Sequence, residues 1–329
     1  SPVSADKEIR KDIYRLRARA RDLAKNSAFV EQYLSLLVGN VIGPRGMKMQ
    51  AQVRNNDGNL NKSFNDKIEA AWSDWSVAPS TDGQQSLVQF EHLALRTVAM
   101  DGEAFVRIVR GFPHNPFGFA LQFIDADLID HELNRPARDG QNEIRMGIEL
   151  DTWRRPAAYW AWNRHQDDDN YAPRTRVRYP AAEIIHLYDT RRANQTRGYT
   201  WLAPVMLELR MLDGYVEAEL VAARTAAAKM GFIINKEGTG PGLGSDPNTN
   251  NTPVQMEASP GNIEELPVGS EFQGWDPQHP TAAFPDFIKA ATRRIATGLR
   301  VSYNALANDL ENVNYSSIRS GLLIERDQW

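Results

Sequence analysis

The stretch from residue 201 to 230 constrains the fold of this chain more than any other segment. It starts at Trp201, has Pro204 near its beginning, and reaches Met230 with no further proline and one glycine. Its apolar residues recur at steps of three or four: Val205, Leu209, Leu212, Val216, Leu220, Ala223, Ala227 and Met230. This spacing forms one stripe along an α-helix, which at 1.5 Å per residue is about 40 Å long. So long a helix with an alanine-rich end is expected to span something or to pack closely against copies of itself.

The bulk composition excludes several classes of protein. The chain has no cysteine, which excludes a disulfide framework and thiolate chemistry. No apolar run approaches the roughly 18 residues that cross a membrane, so we expect no membrane partner. The net charge is −4, whereas proteins that grip DNA regardless of sequence are normally basic. The charge therefore argues against a gripping DNA-binding protein, but not against a conduit through which DNA slides.

The first 190 residues predict an α+β domain in which helices precede a largely antiparallel sheet. Helical spacing of apolar residues covers 6–41, 64–75 and 90–100. Strand-like patterns cover 47–53, 104–109, 119–124, 145–150, 157–162 and 183–188. The first helix also carries a basic face, made of Arg10, Arg15, Arg17, Arg19, Arg21 and Lys25. That face is either solvated or part of an arm that meets an acidic neighbour or nucleic acid.

Beyond the long helix the chain predicts a short strand and then a loop at 237–262. The loop is rich in Gly, Pro, Asn and Thr, so we expect it to be flexible. One or two strands follow within 263–275. A second helix begins at Pro285, a residue favoured in the first helical turn, and continues to about Arg300. A third helix begins near Tyr315.

The sequence offers no convincing catalytic constellation. It has no P-loop motif, and the glycine-rich segment 238–244 precedes no helix whose N-terminus could hold phosphates. Asp125, Asp127, Asp130 and His131 crowd the end of a predicted strand, where oxygen-rich clusters can bind metal ions. A polar turn explains the same four residues. His186 lies in an apolar strand, which favours a core histidine over a ligand or base.

Three segments carry motifs that would each be weak alone: residues 93–105 (LALRTVAMDGEAF), 195–204 (QTRGYTWLAP) and 309–323 (DLENVNYSSIRSGLL). Residues 119–127 and 147–151 add two further matches. In this order they resemble the lambda-type portal proteins of tailed bacteriophages, and the resemblance covers the chain from about residue 21 to its end.

The resemblance implies a portal fold with an α/β wing, two long stem helices and a small clip. The chain departs from the family pattern at Thr200, where proline or serine is expected, and at Arg300, where glycine is frequent. The family's later crown region is expected to be absent from this chain. The implied divisions are an N-terminal arm and wing at 1–200, a first stem helix at 201–230, a clip at 231–283, a second stem helix at 284–300, and a channel-loop region with the start of a C-terminal wing helix at 301–329.

The resemblance also implies a function and a set of partners. Portal proteins of this type form a dodecameric ring at one capsid vertex, are not enzymes, and need no cofactor. Double-stranded DNA passes through the ring during packaging and ejection, driven by a separate terminase. The implied partners are further copies of the chain, the terminase large subunit, the major capsid protein and scaffold, and the head–tail connector. The implied location is the virion, and the host cytoplasm during assembly.

Particular residues follow from the motifs and from the helices between them. Lys289, Arg293 and Arg300 are candidates for contact with DNA in the channel, or else form a salt-bridged helix face. Ala223 and Ala227 are candidates for a close subunit interface, although helix propensity alone also explains alanines. The residues expected to have structural roles in the family motifs are Arg197, Gly198, Trp201, Pro204, Asp309, Asn314, Tyr315, Ser316, Ser317 and Arg319.

Two alternatives to a portal protein stay open on the sequence. The first is a metal-dependent hydrolase or nuclease that uses Asp125, Asp127 and His131. The second is a different ring-forming phage protein, such as a head–tail adaptor.

Overall fold

A computed structural model describes most of the chain. It covers residues 2–165, 168, 173–228, 231–235, 270–274, 283–309, 311, 319, 321, 323, 325, 326 and 329. Contacts divide the chain into two compact units. The first contains Ser1–Leu207 and Thr292–Trp329, and the second contains Glu208–Ala291. Helices and antiparallel sheets are both present, so the predicted α+β class is confirmed.

Two helices at the start of the chain replace the single predicted one. Helix α1 spans Ala5–Asn26 and α2 spans Ala28–Val41. The Ser4 hydroxyl accepts a hydrogen bond from the amide of Lys7, which caps α1. Ser27 is extended, with φ −107° and ψ 117°, and this one non-helical residue separates the helices. An uninterrupted apolar pattern does not reveal such a break.

Two further helices precede the sheets. Helix α3 spans Lys62–Ser76 and α4 spans Leu87–Asp101. Ser86 and Gln89 form a capping box at the start of α4, in which each side chain accepts from the other residue's backbone amide. Gly102 ends α4 with φ 93°, the left-handed conformation that favours glycine at a helix C-terminus.

Two small antiparallel sheets follow these helices within the first unit. One has the order β2-β1-β7 and the other β3-β4-β5-β6, and all neighbouring strands are antiparallel. The strands are β1 Glu103–Arg110, β2 Phe119–Ile124, β3 Glu143–Arg145, β4 Ile148–Leu150, β5 Pro156–Trp162, β6 Arg176–Pro180 and β7 Ile184–Tyr188. Side chains from both sheets, including Phe105, Ile148 and Tyr159, share one buried apolar cluster.

Two predicted strands differ from the structure. Residues 145–150 form a tight hairpin rather than one strand, because Met146 and Gly147 turn the chain with positive φ values. Residues 47–53 are not a strand. Their backbone amides bond side chains of α3 instead: Ala51 donates to Glu69 at 2.9 Å, and Val53 donates to Asn65 at 2.9 Å.

The long helix begins later than the sequence pattern suggests. Residues 201–205 form successive turns, and α5 spans Met206–Ala228. The Val205 amide donates to the Leu202 carbonyl at 3.0 Å. This hydrogen bond joins residues three apart, as in a 3₁₀-helix, rather than four apart, as in an α-helix. The predicted apolar stripe is buried at Leu209 but exposed farther along the helix, where 49% of the surface of Leu220 is accessible to solvent. No described helix is long and apolar enough to cross a membrane.

The remaining elements are a strand pair and two helices. Strands β8 (Gly231–Asn235) and β9 (Ser270–Gly274) pair antiparallel, and α6 spans Phe284–Leu299. Tyr215 of α5 contacts the rings of Phe284 and Phe287, with ring centroids 5.9 and 4.7 Å apart. A short helix, α7, spans Tyr303–Ala307. The predicted loop at 237–262 lies outside the described residues.

Candidate functional site

The 195–204 motif folds over the junction between α4 and β1. Arg197 is fully buried and faces Glu103, which is also fully buried. Its Nε lies 2.9 Å from both oxygens of Glu103, and its Nη2 lies 2.6 Å from Oε1. Its Nη1 donates to the carbonyl of Met146 at 2.7 Å, and Nη2 also donates to the carbonyl of Ala126 at 3.3 Å. The planar fork of arginine therefore joins the motif to three other segments.

Two glycines let the same backbone segments approach each other. A Cβ on Gly198 would lie 2.0 Å from the carbonyl oxygen of Gly102. A Cβ on Gly102 would lie 2.2 Å from the carbonyl carbon of Tyr199. The Gly198 amide also donates to Glu103 Oε2 at 3.1 Å. Any side chain at either glycine would separate the motif from the end of α4.

The rest of the motif is held by hydrogen bonds to α1 and α4. Thr196 donates through its amide and its hydroxyl to Asp6 of α1, at 2.8 and 2.7 Å. The Thr200 hydroxyl and the Trp201 amide both donate to the Ala99 carbonyl. Thr200 thus replaces the expected proline or serine while keeping a buried hydrogen bond to α4.

Glu103 is the centre of a larger charged cluster. Besides Arg197 it accepts from Arg17 of α1 at 2.8 Å and contacts the His186 ring nitrogen at 3.0 Å. Burial raises the pKa of Glu103, but the charge of Arg197 and the hydrogen bond from His186 outweigh it, so the net pKa is well below its ordinary value. Burial lowers the pKa of His186 more than Glu103 raises it. A neutral imidazole that donates to an ionised carboxylate fits both shifts.

A second group of acids extends this cluster towards the surface. Arg21 bonds Asp101 at 2.6 and 2.9 Å, Asp127 at 2.6 Å, and Asp125 at 2.9 Å. Arg17 also forms an ion pair with Asp127. The predicted basic face of α1 is therefore divided, since Arg17 and Arg21 meet acidic residues of the same chain.

These ion pairs argue against the metal-dependent hydrolase. Both oxygens of Asp127 contact guanidinium groups, as does Asp125. His131 stacks on Tyr14, with ring centroids 6.2 Å apart. Within the described residues, no group of three or more acidic or histidine side chains is arranged to hold a metal ion. Asp125 and Asp127 belong to a structural charge cluster instead, and His131 packs against an aromatic ring.

Trp201 and Pro204 line a groove on the first unit. The groove has a volume of about 610 Å³ and is also lined by Tyr33, Arg300 and Trp329. Arg300 follows α6 with φ 60°, a left-handed conformation in which glycine is usual. Arg300 therefore adopts the left-handed turn at the position where the family resemblance led us to expect glycine.

The candidate channel residues occupy different environments. Lys289 is half-buried on α6, whereas Arg293 and Arg300 are exposed. The Arg293 guanidinium lies over the ring of Tyr303, 5.4 Å from its centroid. Contact with DNA stays a prediction for all three.

The other predicted positions are only partly described. Asp309 accepts from the Tyr303 hydroxyl at 2.8 Å and from the Glu311 amide at 2.9 Å. Arg319 is helical and exposed, and Ala223 is half-buried on α5. Ala227 belongs to α5, but its side chain is outside the described part. Outside the described residues altogether are Asn314, Tyr315, Ser316 and Ser317.

A sequence model of the family "Phage portal protein, lambda family" matches residues 1–329. The chain belongs to the lambda family of phage portal proteins. A relative in Halomonas phage phiHAP-1, described as a probable portal protein, is 39% identical over 329 residues. The match covers 98% of this chain and 63% of the relative, so this portal-family chain spans less than two thirds of that protein's length.

Solved structures show the same fold. A chain in the neck of a native GTA particle, computed with C12 symmetry, superposes with a TM-score of 0.54 at 12% identity. The match covers 95% of this chain and 75% of that chain. A chain from the virion of a native gene transfer agent particle gives the same TM-score, with 94% and 74% covered. The portal fold is thus shown, and family membership favours the portal over the separate head–tail adaptor.

The sequence did not predict the centre of the charged cluster. Glu103 lies inside the 93–105 motif, directly after Gly102, where a solvent-exposed turn residue is the ordinary expectation. The feature of the sequence that could have indicated Glu103 is the 93–105 motif itself, in which this acidic residue directly precedes an apolar strand. Its partners Arg17 and Arg197 lie 86 and 94 positions away, so no local pattern connects them.

Proposed function

We propose that this chain is the ring-forming subunit of a portal, through which double-stranded DNA enters and leaves a phage capsid. The observation that carries the proposal is the match of the portal family to residues 1–329. The neck chain with the same fold belongs to a particle computed with C12 symmetry, which supports a ring of twelve copies. In this role the chain is a structural protein and conduit rather than an enzyme, and it uses no cofactor.

The proposed parts of the subunit follow the chain. Residues 1–200 form the arm and wing, and 231–283 form the clip. Helices α5 and α6, in the regions 201–230 and 284–300, form the stem around the channel. Residues 301–329 contribute the channel loop and the start of a wing helix. The support is the order of the elements along the chain, in which α5 precedes the β8–β9 pair and α6 follows it.

The exposed apolar residues of α5 support assembly into a ring. Met211, Val216, Leu220 and Val221 are between 41% and 66% exposed. Burying such side chains contributes about 25 cal/mol per Å² of apolar surface, and a ring needs one surface of each copy to meet a different surface of the next. We propose that this part of α5, with Ala223 and Ala227, lies against a neighbouring subunit.

The channel and the external partners complete the proposal. Lys289, Arg293 and Arg300 guide the phosphate backbone without holding it, as suits a chain with a net charge of −4. The terminase large subunit docks on the ring during packaging, and the head–tail connector later occupies the vertex. The ring also contacts the major capsid protein and scaffold. It resides in the virion, and in the host cytoplasm during assembly.

Native mass spectrometry of the purified chain tests the assembly. We expect a closed ring whose mass is a whole multiple of the subunit mass, with twelve copies the predicted number. Image analysis of the same sample by electron microscopy should show rotational symmetry and a central channel. A chain that stays monomeric or dimeric at high concentration contradicts the proposal.

A further inference from the structure

Helix α1 presents a row of cations that the cluster around Glu103 does not use. They are Lys7, Arg10, Lys11, Arg15, Arg19 and Lys25, and all six are exposed. Within the described part of the chain, none of the six lies in an ion pair. We name this surface the α1 basic strip.

The strip is regular. Lys7, Lys11, Arg15 and Arg19 are four residues apart, so each step rises about 6 Å along one side of the helix. From Lys7 to Lys25 the strip is about 27 Å long. Three acidic residues lie among these cations. Glu8 pairs with Arg192, Asp22 accepts from Asn26 at 2.8 Å, and Asp12 is half-buried.

One end of the strip opens into a cleft. The cleft has a volume of about 430 Å³ and lies between the start of α1 and the 134–146 segment. Lys7, Arg10 and Arg135 line it, together with Asp6 and Glu143, whose carboxylates both pair with Arg145. The Arg135 Nε is buried without a hydrogen-bond partner in the part of the chain that the structure describes. The cleft thus adds a donor that an anionic oxygen could satisfy.

The geometry points to the sugar–phosphate backbone of duplex DNA as the ligand of the α1 basic strip. We favour DNA over an acidic protein because charged side chains outnumber apolar ones along the strip. Its exposed apolar residues are Tyr14 and Ala18, and Tyr14 stacks on His131. The core of a protein–protein interface is apolar and poor in charge, whereas phosphate binding needs only evenly spaced cations.

The overall negative charge of the chain does not oppose this binding. Charges more than about 10 Å apart are screened at 0.1 M salt, so the local row of cations decides the interaction. The strip includes none of Lys289, Arg293 and Arg300. It therefore gives the chain a second DNA-binding surface, which does not depend on those three residues contacting DNA.

Fluorescence anisotropy with a labelled 30-base-pair duplex tests the strip. The variant Lys11→Gln, Arg15→Gln, Arg19→Gln removes three exposed cations and keeps good helix-forming residues. We expect about 10-fold weaker binding or more, and a salt slope reduced by about 2.7 between 50 and 200 mM KCl, since each lost phosphate contact contributes about 0.9. The matched control, Lys48→Gln, Lys67→Gln, Arg138→Gln, has the same net charge and should keep the parent slope.

Several outcomes would overturn the inference. One is an α1 variant with the affinity and slope of the parent chain, and another is an equal loss in both triple variants. A parent chain that binds a polyglutamate peptide but not the duplex would point to an acidic protein instead. Native mass spectrometry of the α1 variant should give the same assembly as the parent, so a failure of DNA binding is distinguishable from a failure of ring formation.

Discussion

At the scale of single residues, Glu103 shows why a buried charge must be fully partnered. Its carboxylate receives two arginines, a histidine and a backbone amide. Removing one partner of a buried ion pair leaves the other charge in a medium that solvates it poorly. The cluster therefore makes the structure intolerant of single changes, even though an apolar cluster of the same volume could be equally stable.

Arg197→Met should lower the free energy of unfolding by about 3–5 kcal/mol, because it leaves Glu103 with less compensation for its buried charge. The matched control is Arg96→Met, which removes the surface ion pair with Glu31. This control should change the free energy of unfolding by less than about 1 kcal/mol. Urea unfolding followed by tryptophan fluorescence measures both. Similar values for the two variants would contradict the central role of Glu103.

His186 should make the stability sensitive to pH. Its pKa is lowered in the folded chain, so below the unfolded pKa of about 6.5 the unfolded state binds a proton that the folded state does not. Its stabilising contribution is present above that pH and is lost as the pH falls towards the folded pKa. Glu103, whose pKa is also lowered, loses its contribution below about pH 4.3, its unfolded value.

Unfolding titrations at several pH values separate these two groups. His186→Gln should remove the part of the pH dependence that lies just below 6.5, while the exposed control His114→Gln keeps it. If the His186→Gln variant shows the parent's dependence in that range, the imidazole is not the group responsible.

The contact between Gly102 and Gly198 gives a second residue-scale prediction. Gly198→Ala places a Cβ 2.0 Å from a backbone oxygen, so we expect the unfolding free energy to fall by more than about 2 kcal/mol. Gly214→Ala, in open space on α5, should instead raise it by about 1 kcal/mol through helix propensity. Chemical denaturation distinguishes the opposite signs of the two changes in unfolding free energy. If Gly198→Ala leaves the unfolding free energy unchanged, the two segments can separate without loss of stability.

At the scale of elements, α5 carries the prediction about assembly. Ala223→Leu combined with Ala227→Leu should prevent ring closure by filling the space needed by a neighbouring copy, while circular dichroism shows an unchanged fold. The control Ala70→Leu lies on the exposed side of α3 and should leave the assembly intact. Rings of unchanged mass in native mass spectrometry would show that this part of α5 is not a close interface.

Regular elements were predictable because their periodicity is local. Helices α3, α4 and α6 and strands β1, β2 and β5 lie within a few residues of their predicted positions. The misses have physical causes: Ser27 breaks a helix without breaking the apolar pattern, and side chains of α3 satisfy residues 47–53 in place of a strand. The cluster around Glu103 could not be predicted, since its partners are brought together only by the tertiary fold.

At the scale of the whole molecule, the candidate channel residues should affect DNA passage rather than assembly. Lys289→Glu, Arg293→Glu and Arg300→Glu together should leave the ring mass unchanged and reduce the amount of DNA packaged in a terminase-driven assay. The exposed control Lys48→Glu, Lys67→Glu, Arg138→Glu carries the same charge change and should package normally. Equal loss in both variants would assign the effect to total charge instead of these positions.

The charged cluster also sets a time during synthesis of the chain. Arg17, Glu103 and Arg197 must all have left the ribosome before the cluster can close. At about 5–20 residues per second, the interval between residues 17 and 197 is roughly 10–40 s. Glu103 emerges partway through this interval and then lacks the Arg197 guanidinium for the next 94 residues, which take roughly 5–20 s. The part of the chain before the 195–204 motif is therefore expected to depend on chaperones while it is being translated, and less so once that motif has emerged.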